Sequence, residues 1–270
     1  MRLTDTHMVR LLGSVAVAAL LGLSVAGCQT TGGDVTGSIA TNAPTPRSDA
    51  DWRGSLNIWG QRYKDNPADA EAAINYAKAL RATEQRAQAV AVLEQASMRN
   101  PHDMPLLGAY GRALADAGDY NHALEVLERA HTPDNPDWRI LNAQGAVLDQ
   151  LGRHGEAQRH YSAALKIVPD EPSVLSNLGL SYALTRDLKH AEQILRRAAA
   201  QSNAAPKVRQ NLALVVGLQG RFAEAEKIAA ADLPPNEAAA NVDYLRTLLA
   251  QQGDWKKPGQ KRLPAPDTGT

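Results

Sequence analysis

The sequence predicts an all-α stack of antiparallel helix pairs. Alanines recur at a fixed spacing of 34 residues, and a fixed period of about 20–50 residues is typical of repeat architectures. A small residue stands twelve positions before each alanine, and a bulkier residue stands four positions after most of them. The alanines are Ala89, Ala123, Ala157, Ala191 and Ala225, and the small residues are Ala77, Gly111, Gly145, Gly179 and Ala213.

This spacing places a small residue on the first helix of each pair and an alanine on the second, so that the two axes can approach closely. Gly118, Gly152 and Gly220 fall five residues before an alanine. We expect the first helix to end there, because glycine adopts the left-handed conformation that closes many helices. Pro101 and Pro169 follow the second helix and should end it.

The pattern resembles the tetratricopeptide repeat (TPR), whose 34-residue unit carries a small residue at position 8, alanine at positions 20 and 27, and proline at position 32. The resemblance implies an all-α TPR solenoid, a right-handed superhelix of antiparallel helix pairs, with about five full repeats and half-repeat caps. Repeats 1 to 5 are predicted at 70–103, 104–137, 138–171, 172–205 and 206–239.

Capping segments are expected at both ends, because the outer face of a terminal repeat would otherwise expose apolar surface to water. An N-terminal half-repeat is predicted at 51–69, with a helix over 52–66 and Trp59 as its large core residue. A C-terminal capping helix is predicted at 236–252, since Val242, Leu245, Leu248 and Leu249 recur at helical spacing.

Residues 1–27 are predicted to be a signal peptide, because two arginines precede an apolar run of 15 residues from Leu11 to Val25. The run ends in Val25-Ala26-Gly27-Cys28, which resembles the lipobox of bacterial lipoproteins and implies acylation of Cys28. The alternative is an ordinary secretory signal followed by a chance cysteine. Cys28 is the only cysteine of the chain, so no intrachain disulfide is possible.

The segments outside the repeats have the composition of flexible chain. Residues 28–50 are rich in Thr, Gly, Ser, Ala and Pro and are expected to form a disordered tether. Residues 253–270 form a basic, proline-containing tail, which either contacts an acidic partner or is merely solvated. In Gram-negative lipoproteins Gln at the place of Gln29 favours the outer membrane, so the protein is expected there, lipid-anchored and facing the periplasm.

Composition and motifs argue against nucleic-acid binding and catalysis. Without residues 1–27, which carry two basic groups and one acidic group, 29 − 2 = 27 basic and 29 − 1 = 28 acidic residues remain, a net charge of −1. Such a chain lacks the basic excess of nucleic-acid-binding proteins. No nucleophile elbow, phosphate-binding loop or metal-ligand cluster is present in the sequence. We therefore expect no enzyme activity, cofactor, metal or small-molecule substrate.

The resemblance places the first helices of the repeats on a concave side that binds other polypeptides. Positions 2, 5, 9, 12 and 13 of each repeat share this face. It is charged in repeats 1 and 2 and apolar in repeats 4 and 5, so a peptide with one charged and one apolar end would fit it. The candidate peptide-binding residues are Asn75, Lys78, Arg112, Asn142, Asn177, Leu180, Leu184, Asn211, Leu214 and Leu218.

Two alternatives to this binding surface stay open. The capping helix 236–252 would bury the leucines of repeats 4 and 5 if it folded back over them. The asparagines, of which Asn75, Asn177 and Asn211 share one repeat position, either bind a peptide backbone through their amides or are simply common at that place. The Lys/Asn clamp by which other TPR domains bind chaperone C-termini is absent.

The whole chain, with its lipobox, short tether and TPR array, is similar to the TadD-type lipoproteins of tight-adherence (Tad/Flp) pilus systems. This resemblance implies an outer-membrane pilotin or assembly factor whose protein client is a secretin subunit or another pilus component. The alternative is a TPR lipoprotein of another envelope system, either β-barrel assembly or an accessory factor of polysaccharide export.

Overall fold

The computed structural model describes residues 48–255, in which twelve α-helices and no β-strand are present. The predicted signal peptide, the lipidation site at Cys28 and nearly all of the tether and tail lie outside these residues. The helices are α1 (Asp49–Asp65), α2 (Ala70–Ala82), α3 (Arg86–Arg99), α4 (Met104–Asp116), α5 (Tyr120–Glu128), α6 (Trp138–Gln150), α7 (His154–Ile167), α8 (Pro172–Leu184), α9 (Leu188–Ala199), α10 (Pro206–Leu218), α11 (Phe222–Ala229) and α12 (Pro235–Trp255).

The helices form two compact units. The first unit contains α1 to α9 and ends at Ala205, and the second contains α10 to α12 and begins at Pro206. Within them the predicted repeats correspond to the pairs α2/α3, α4/α5, α6/α7, α8/α9 and α10/α11, and the two helices of each pair pack on one another. The structure is thus all-helical, as the 34-residue period predicts.

The two helices of every pair are joined by a three-residue connection whose middle residue has a positive φ angle. Gly118, Gly152 and Gly220 have φ values of 87°, 74° and 82°, which confirms their predicted role as helix-ending glycines. The same position in repeats 1 and 4 is held by Glu84 and Arg186, with φ values of 62° and 65°. A side chain at this angle costs about 1–2 kcal/mol, so these two turns carry strain that the glycine turns lack.

Threonine precedes the strained residue in both of these turns. Thr83 Oγ1 donates to the carbonyl of Ala79 at 2.9 Å, and Thr185 Oγ1 donates to the carbonyl of Tyr182 at 2.9 Å. Each hydroxyl adds a second donor to a carbonyl that also accepts a backbone amide, from Thr83 at 3.1 Å and from Asp187 at 2.9 Å. The hydroxyls therefore stabilise the two helix ends that lack glycine.

In repeats 2 to 4 close contact between the paired helices depends on glycine at repeat position 8. A Cβ atom on Gly111 would lie 2.5 Å from Leu127, one on Gly145 would lie 2.5 Å from the Tyr161 ring, and one on Gly179 would lie 2.6 Å from Leu195. These distances are too short for a side chain, so the large residue of the second helix occupies the space that the glycine leaves. The predicted pairing of small and large residues is confirmed.

The N-terminal helix begins slightly earlier than predicted and is anchored by a different aromatic residue. Ser48 caps α1 in a capping box with Asp51, so the helix starts at Asp49. Tyr63, which is 7% exposed, is the aromatic core residue of α1, and its hydroxyl donates to Gln95 Oε1 at 2.5 Å. Trp59, the predicted large core residue, packs against the same core but is only partly buried, and it lies under the Arg62 guanidinium.

The second unit departs from the strict repeat at its end. Alanine is expected at position 232, but Asp232 stands there and accepts two hydrogen bonds from Arg209, at 2.5 and 2.6 Å. The helix α11 is only eight residues long. The final helix α12 runs from Pro235 to Trp255, three residues beyond the predicted 236–252 cap. It packs on α10 and α11 through the buried side chains of Ala238, Val242 and Leu245.

Candidate peptide-binding groove

A groove of about 610 Å³ lies in the first unit, across the first helices of repeats 1 to 3. It is lined by α2, by α4 and by the beginning of α6, so the face that the sequence assigns to binding is open here. The charged and polar side chains that line it are Glu71, Asn75, Lys78, Arg81, Asp103, Arg112, His131, Asn135, Asp137 and Arg139. Three predicted residues, Asn75, Lys78 and Arg112, therefore meet in one groove.

The floor of the groove is apolar and depends on one glycine. Ile74 and Ile140 contribute to it from α2 and α6, and Gly108 lies between them on α4. A Cβ atom on Gly108 would lie 2.6 Å from Ile140 Cδ1. Glycine at this position thus lets Ile140 reach the groove floor.

One wall of the groove is formed by an irregular segment, residues 129–137. The helix α5 ends at Glu128. The second helices of repeats 1 and 3 end at Arg99 and Ile167, which correspond to position 133 in repeat 2, so α5 is five residues shorter at its end. Pro133 and Pro136 are incompatible with a continued helix, and an isolated bridge between Thr132 and Asn135 closes the segment on itself. His131 and Asn135, which sequence reasoning missed, are thereby brought into the groove.

The three acidic side chains of the groove are engaged by other groups. Glu71 Oε2 accepts from Arg62 at 2.9 Å. Asp103 and Asp137 cap α4 and α6, and their carboxylates accept from backbone amides at 2.9 and 2.7 Å. Such caps satisfy the free amides at a helix start. The negative charge of the groove is therefore largely used in holding the fold.

The basic side chains are engaged less completely. Arg81 pairs with Asp116 at 2.5 Å. Arg139 stacks over the Trp138 ring at 4.5 Å, and its guanidinium is 4.0 Å from Asp137. Lys78 Nζ lies 5.9 Å from the centre of the Trp52 ring. The groove combines an apolar floor with cations on both sides.

The asparagines predicted to bind a peptide backbone do not form a row of similarly placed amides. Asn75 Nδ2 donates to the carbonyl of Glu71 in its own helix at 2.9 Å. Asn177 Nδ2 donates to Asn142 Oδ1 at 3.0 Å, which links α8 to α6. In the second unit Asn211 is buried, at 7% exposure. The amides thus make different contacts in different repeats, and their role in peptide binding stays a prediction.

The four predicted leucines are half-buried. Leu180 and Leu184 lie on α8 in the first unit, and Leu214 and Leu218 lie on α10 in the second. Leu245 of α12 packs at Gly217, where a Cβ atom would lie 2.5 Å from Leu245 Cδ2. Contact by α12 at this neighbouring position does not fully cover Leu214 or Leu218, which keep part of their surface exposed.

Asp149, which the sequence places on the binding face, is instead a buried link between three helices. Its side chain is 9% exposed and accepts hydrogen bonds from His154 Nδ1 at 2.8 Å, Tyr161 Oη at 3.0 Å and Ser181 Oγ at 2.8 Å. Burial raises the pKa of the Asp149 carboxyl, although these three bonds favour its charged form. The group holds α6, α7 and α8 together.

The Asp149 group does not have the geometry of a catalytic triad. Nucleophilic catalysis needs a hydroxyl bonded to a base, which a third group orients. Here His154 and Ser181 both bond Asp149 Oδ1. The arrangement is that of a structural hydrogen-bond cluster.

Two histidines near the starts of second helices are exposed, whereas His154 at the start of α7 is partly buried against Asp149. The side chains of His122 and His190 are 42% and 63% exposed. Within residues 48–255 no group of three or more His, Cys, Asp or Glu side chains is arranged to hold a metal ion. Over the same residues no helix combines the length and the apolar character that crossing a membrane requires.

Comparison of sequences identifies no relative, since neither a family model nor a curated protein matches. Solved structures do match. PilW, a widely conserved type IV pilus biogenesis factor, superposes with a TM-score of 0.63 at 14% identity, covering 86% of this chain and 98% of PilW. A chain of the Cut9–Hcn1 hetero-tetramer of APC/C gives a TM-score of 0.62 at 14% identity, covering 75% of this chain but only 40% of that one.

A third similar structure is TTC0263, a thermophilic TPR protein of Thermus thermophilus. Its TM-score is 0.52 at 22% identity, with 74% of this chain and 99% of that chain covered. At these identities the likeness concerns the fold alone. Together with the helix pairs described above, it confirms the prediction from the sequence: this chain has the all-α tetratricopeptide-repeat fold.

Proposed function

We propose that this chain is a lipid-anchored TPR scaffold of the outer membrane, facing the periplasm, that binds a protein client during pilus biogenesis. The observation that carries the proposal is the fold likeness to PilW, which extends over nearly the whole length of that pilus biogenesis factor. TPR proteins without catalytic groups commonly act through binding, and the open groove of repeats 1 to 3 offers a surface for it.

The lipobox-like sequence ending at Cys28 supports the anchor. Acyl chains contribute about 0.8 kcal/mol per buried methylene, so two or three chains hold a protein firmly to a bilayer. If the predicted tether up to residue 47 is flexible, the random-coil relation gives it a typical reach of roughly 25 Å. A scaffold held this way raises the local concentration of a bound client at the membrane. Within the pilus systems, the TadD-type pilotin role is the specific form that we propose.

The test is membrane fractionation of cells that carry Cys28→Ala. The variant should fold normally, leave the membrane fraction and impair assembly of the pilus. Circular dichroism of the purified variant provides the control for folding. If Cys28→Ala protein stays with the membranes, the lipid anchor is wrong. If it is released and pili still assemble normally, the proposed role in pilus biogenesis is wrong.

A further inference from the structure

The groove of repeats 1 to 3 has features that define the chemistry of its ligand. Two nitrogen atoms on its wall are shielded from solvent and have no hydrogen-bond partner among residues 48–255: Nδ1 of His131 and Nε of Arg139. The Arg139 Nε atom always carries a hydrogen, so it is a buried donor without an acceptor. A buried donor in this state is costly, and a ligand oxygen would relieve it.

Lys78 is a cation of the groove without a carboxylate partner, whereas the Arg139 guanidinium has Asp137 at 4.0 Å. Lys78 lies on α2, half-buried in the groove, and forms no ion pair with any residue of the described range 48–255. Arg139 lies on α6, and Arg112 lies between them on α4. Cations from three successive first helices thus face one groove, whose own carboxylates are held by Arg62 and by helix amides.

We propose that this groove binds an acidic, extended segment of the client protein, with its carboxylates on Lys78 and Arg139. The planar guanidinium matches a carboxylate and forms charge-assisted hydrogen bonds that are about twice as strong as neutral ones. The apolar floor of Ile74 and Ile140 accommodates alternate side chains of an extended chain, and Asn75 and Asn135 lie at its polar edges. The nine-residue connection 129–137 is longer than the connections of four to six residues that follow the other second helices, so this wall distinguishes the groove from the other repeats described.

The test uses the purified full chain in detergent and three fluorescein-labelled ten-residue peptides. One alternates Glu with Thr, and the other two replace Glu by Gln or by Lys. The Glu peptide should bind, the Gln peptide should bind about tenfold more weakly or worse, and added salt should weaken the Glu complex. Equal binding of the Glu and Gln peptides would overturn the proposal.

Charge-matched variants test the two cations. Lys78→Gln and Arg139→Gln should each weaken binding of the Glu peptide about tenfold, as expected for loss of one charge-assisted bond. Lys189→Gln on α9 removes the same charge at an exposed site outside the groove and should have no effect. If Lys189→Gln weakens binding as much as Lys78→Gln, the attraction is general and the assigned site is wrong.

This inference rests on the proposed client-binding function, and a second experiment separates the two. A photo-crosslinking residue replaces Asn75 in cells that carry either the otherwise unchanged chain or Arg139→Gln. A crosslinked client that disappears with Arg139→Gln supports both proposals. A client that is captured equally by Arg139→Gln overturns the acidic site and leaves the client-binding function standing. Specific binding of the Glu peptide without any crosslinked client supports the site and counts against the proposed function.

Discussion

The two faces of each first helix follow different rules. The face toward the partner helix is nearly constant, with Gly111, Gly145 and Gly179 each receiving one large side chain. The face toward the groove changes from repeat to repeat, from Lys78 and Arg112 near one end to leucines further along. The comparison shows that the regular positions build the scaffold, while the positions that break the period determine what it can bind.

The largest effect is expected where the constant face is overfilled. Gly145→Val should destabilise the protein by about 3 kcal/mol, because its new side chain would collide with the buried Tyr161 ring. The matched control is Gly155→Ala on α7, where no atom lies closer than 4.0 Å and the gain in helix propensity is about 1 kcal/mol. Urea denaturation followed by circular dichroism measures both. If Gly145→Val is no less stable than wild type, the close-packed face is misassigned.

An intermediate effect is expected at Asp149, which faces the groove by its position but belongs to the interior by its contacts. Asp149→Ala should cost about 2 kcal/mol, because it leaves the donors on His154, Tyr161 and Ser181 without their acceptor. Thermal unfolding checks this. An unchanged melting temperature would mean that the cluster does not hold the three helices together.

The same residue gives a pH dependence of defined sign. Because burial raises the pKa of Asp149, the native state binds more protons than the unfolded state above the usual value of 3.8. Its contribution to stability is therefore present at low pH and lost as pH rises through the raised pKa. Burial and the nearby His131 lower the pKa of His160. The stability that His160 contributes is therefore present above pH 6.5 and is lost as pH falls through the lowered pKa. Asp149→Asn should abolish the pH dependence that comes from Asp149 and keep the one that comes from His160. Urea denaturation at several pH values between 4 and 7 measures both.

The smallest effect concerns the two turns that lack glycine. Glu84→Gly and Arg186→Gly should each stabilise the protein by about 1 kcal/mol, because glycine adopts the positive φ angle without steric cost. Gly118→Ala, at the same repeat position, should do the opposite. Equilibrium denaturation of the three variants gives the comparison. Destabilisation by both glycine substitutions would contradict the strain assigned to these turns.

The fold could be predicted because it depends on residues that recur. Positions 8, 15 and 20 of each repeat define one helix pair, and five equivalent alanines make the period unmistakable. The structure even extends the prediction, since Glu84 and Arg186 adopt the conformation of the glycines that they replace. Local packing and turn geometry are the same in every repeat, so the pattern is sufficient to specify them.

The groove could be predicted only in outline, because it depends on residues that do not recur. Lys78 and Arg112 were found from their repeat positions, but His131 and Asn135 lie just beyond a second helix that ends early. Pro133 and Pro136 were the available signal for that early end. The burial of Asp149 depends on contacts from two other helices, which spacing along one helix does not reveal.

The wall at residues 129–137 has a consequence for how such an array can diversify. It takes the place of the last turn of α5 within an unchanged 34-residue count, so the helices that follow keep their register. A ligand-facing loop thus arises without an insertion and without disturbing the neighbouring pairs. Prolines near the end of another second helix would end that helix early in the same way, without changing the register of the repeats.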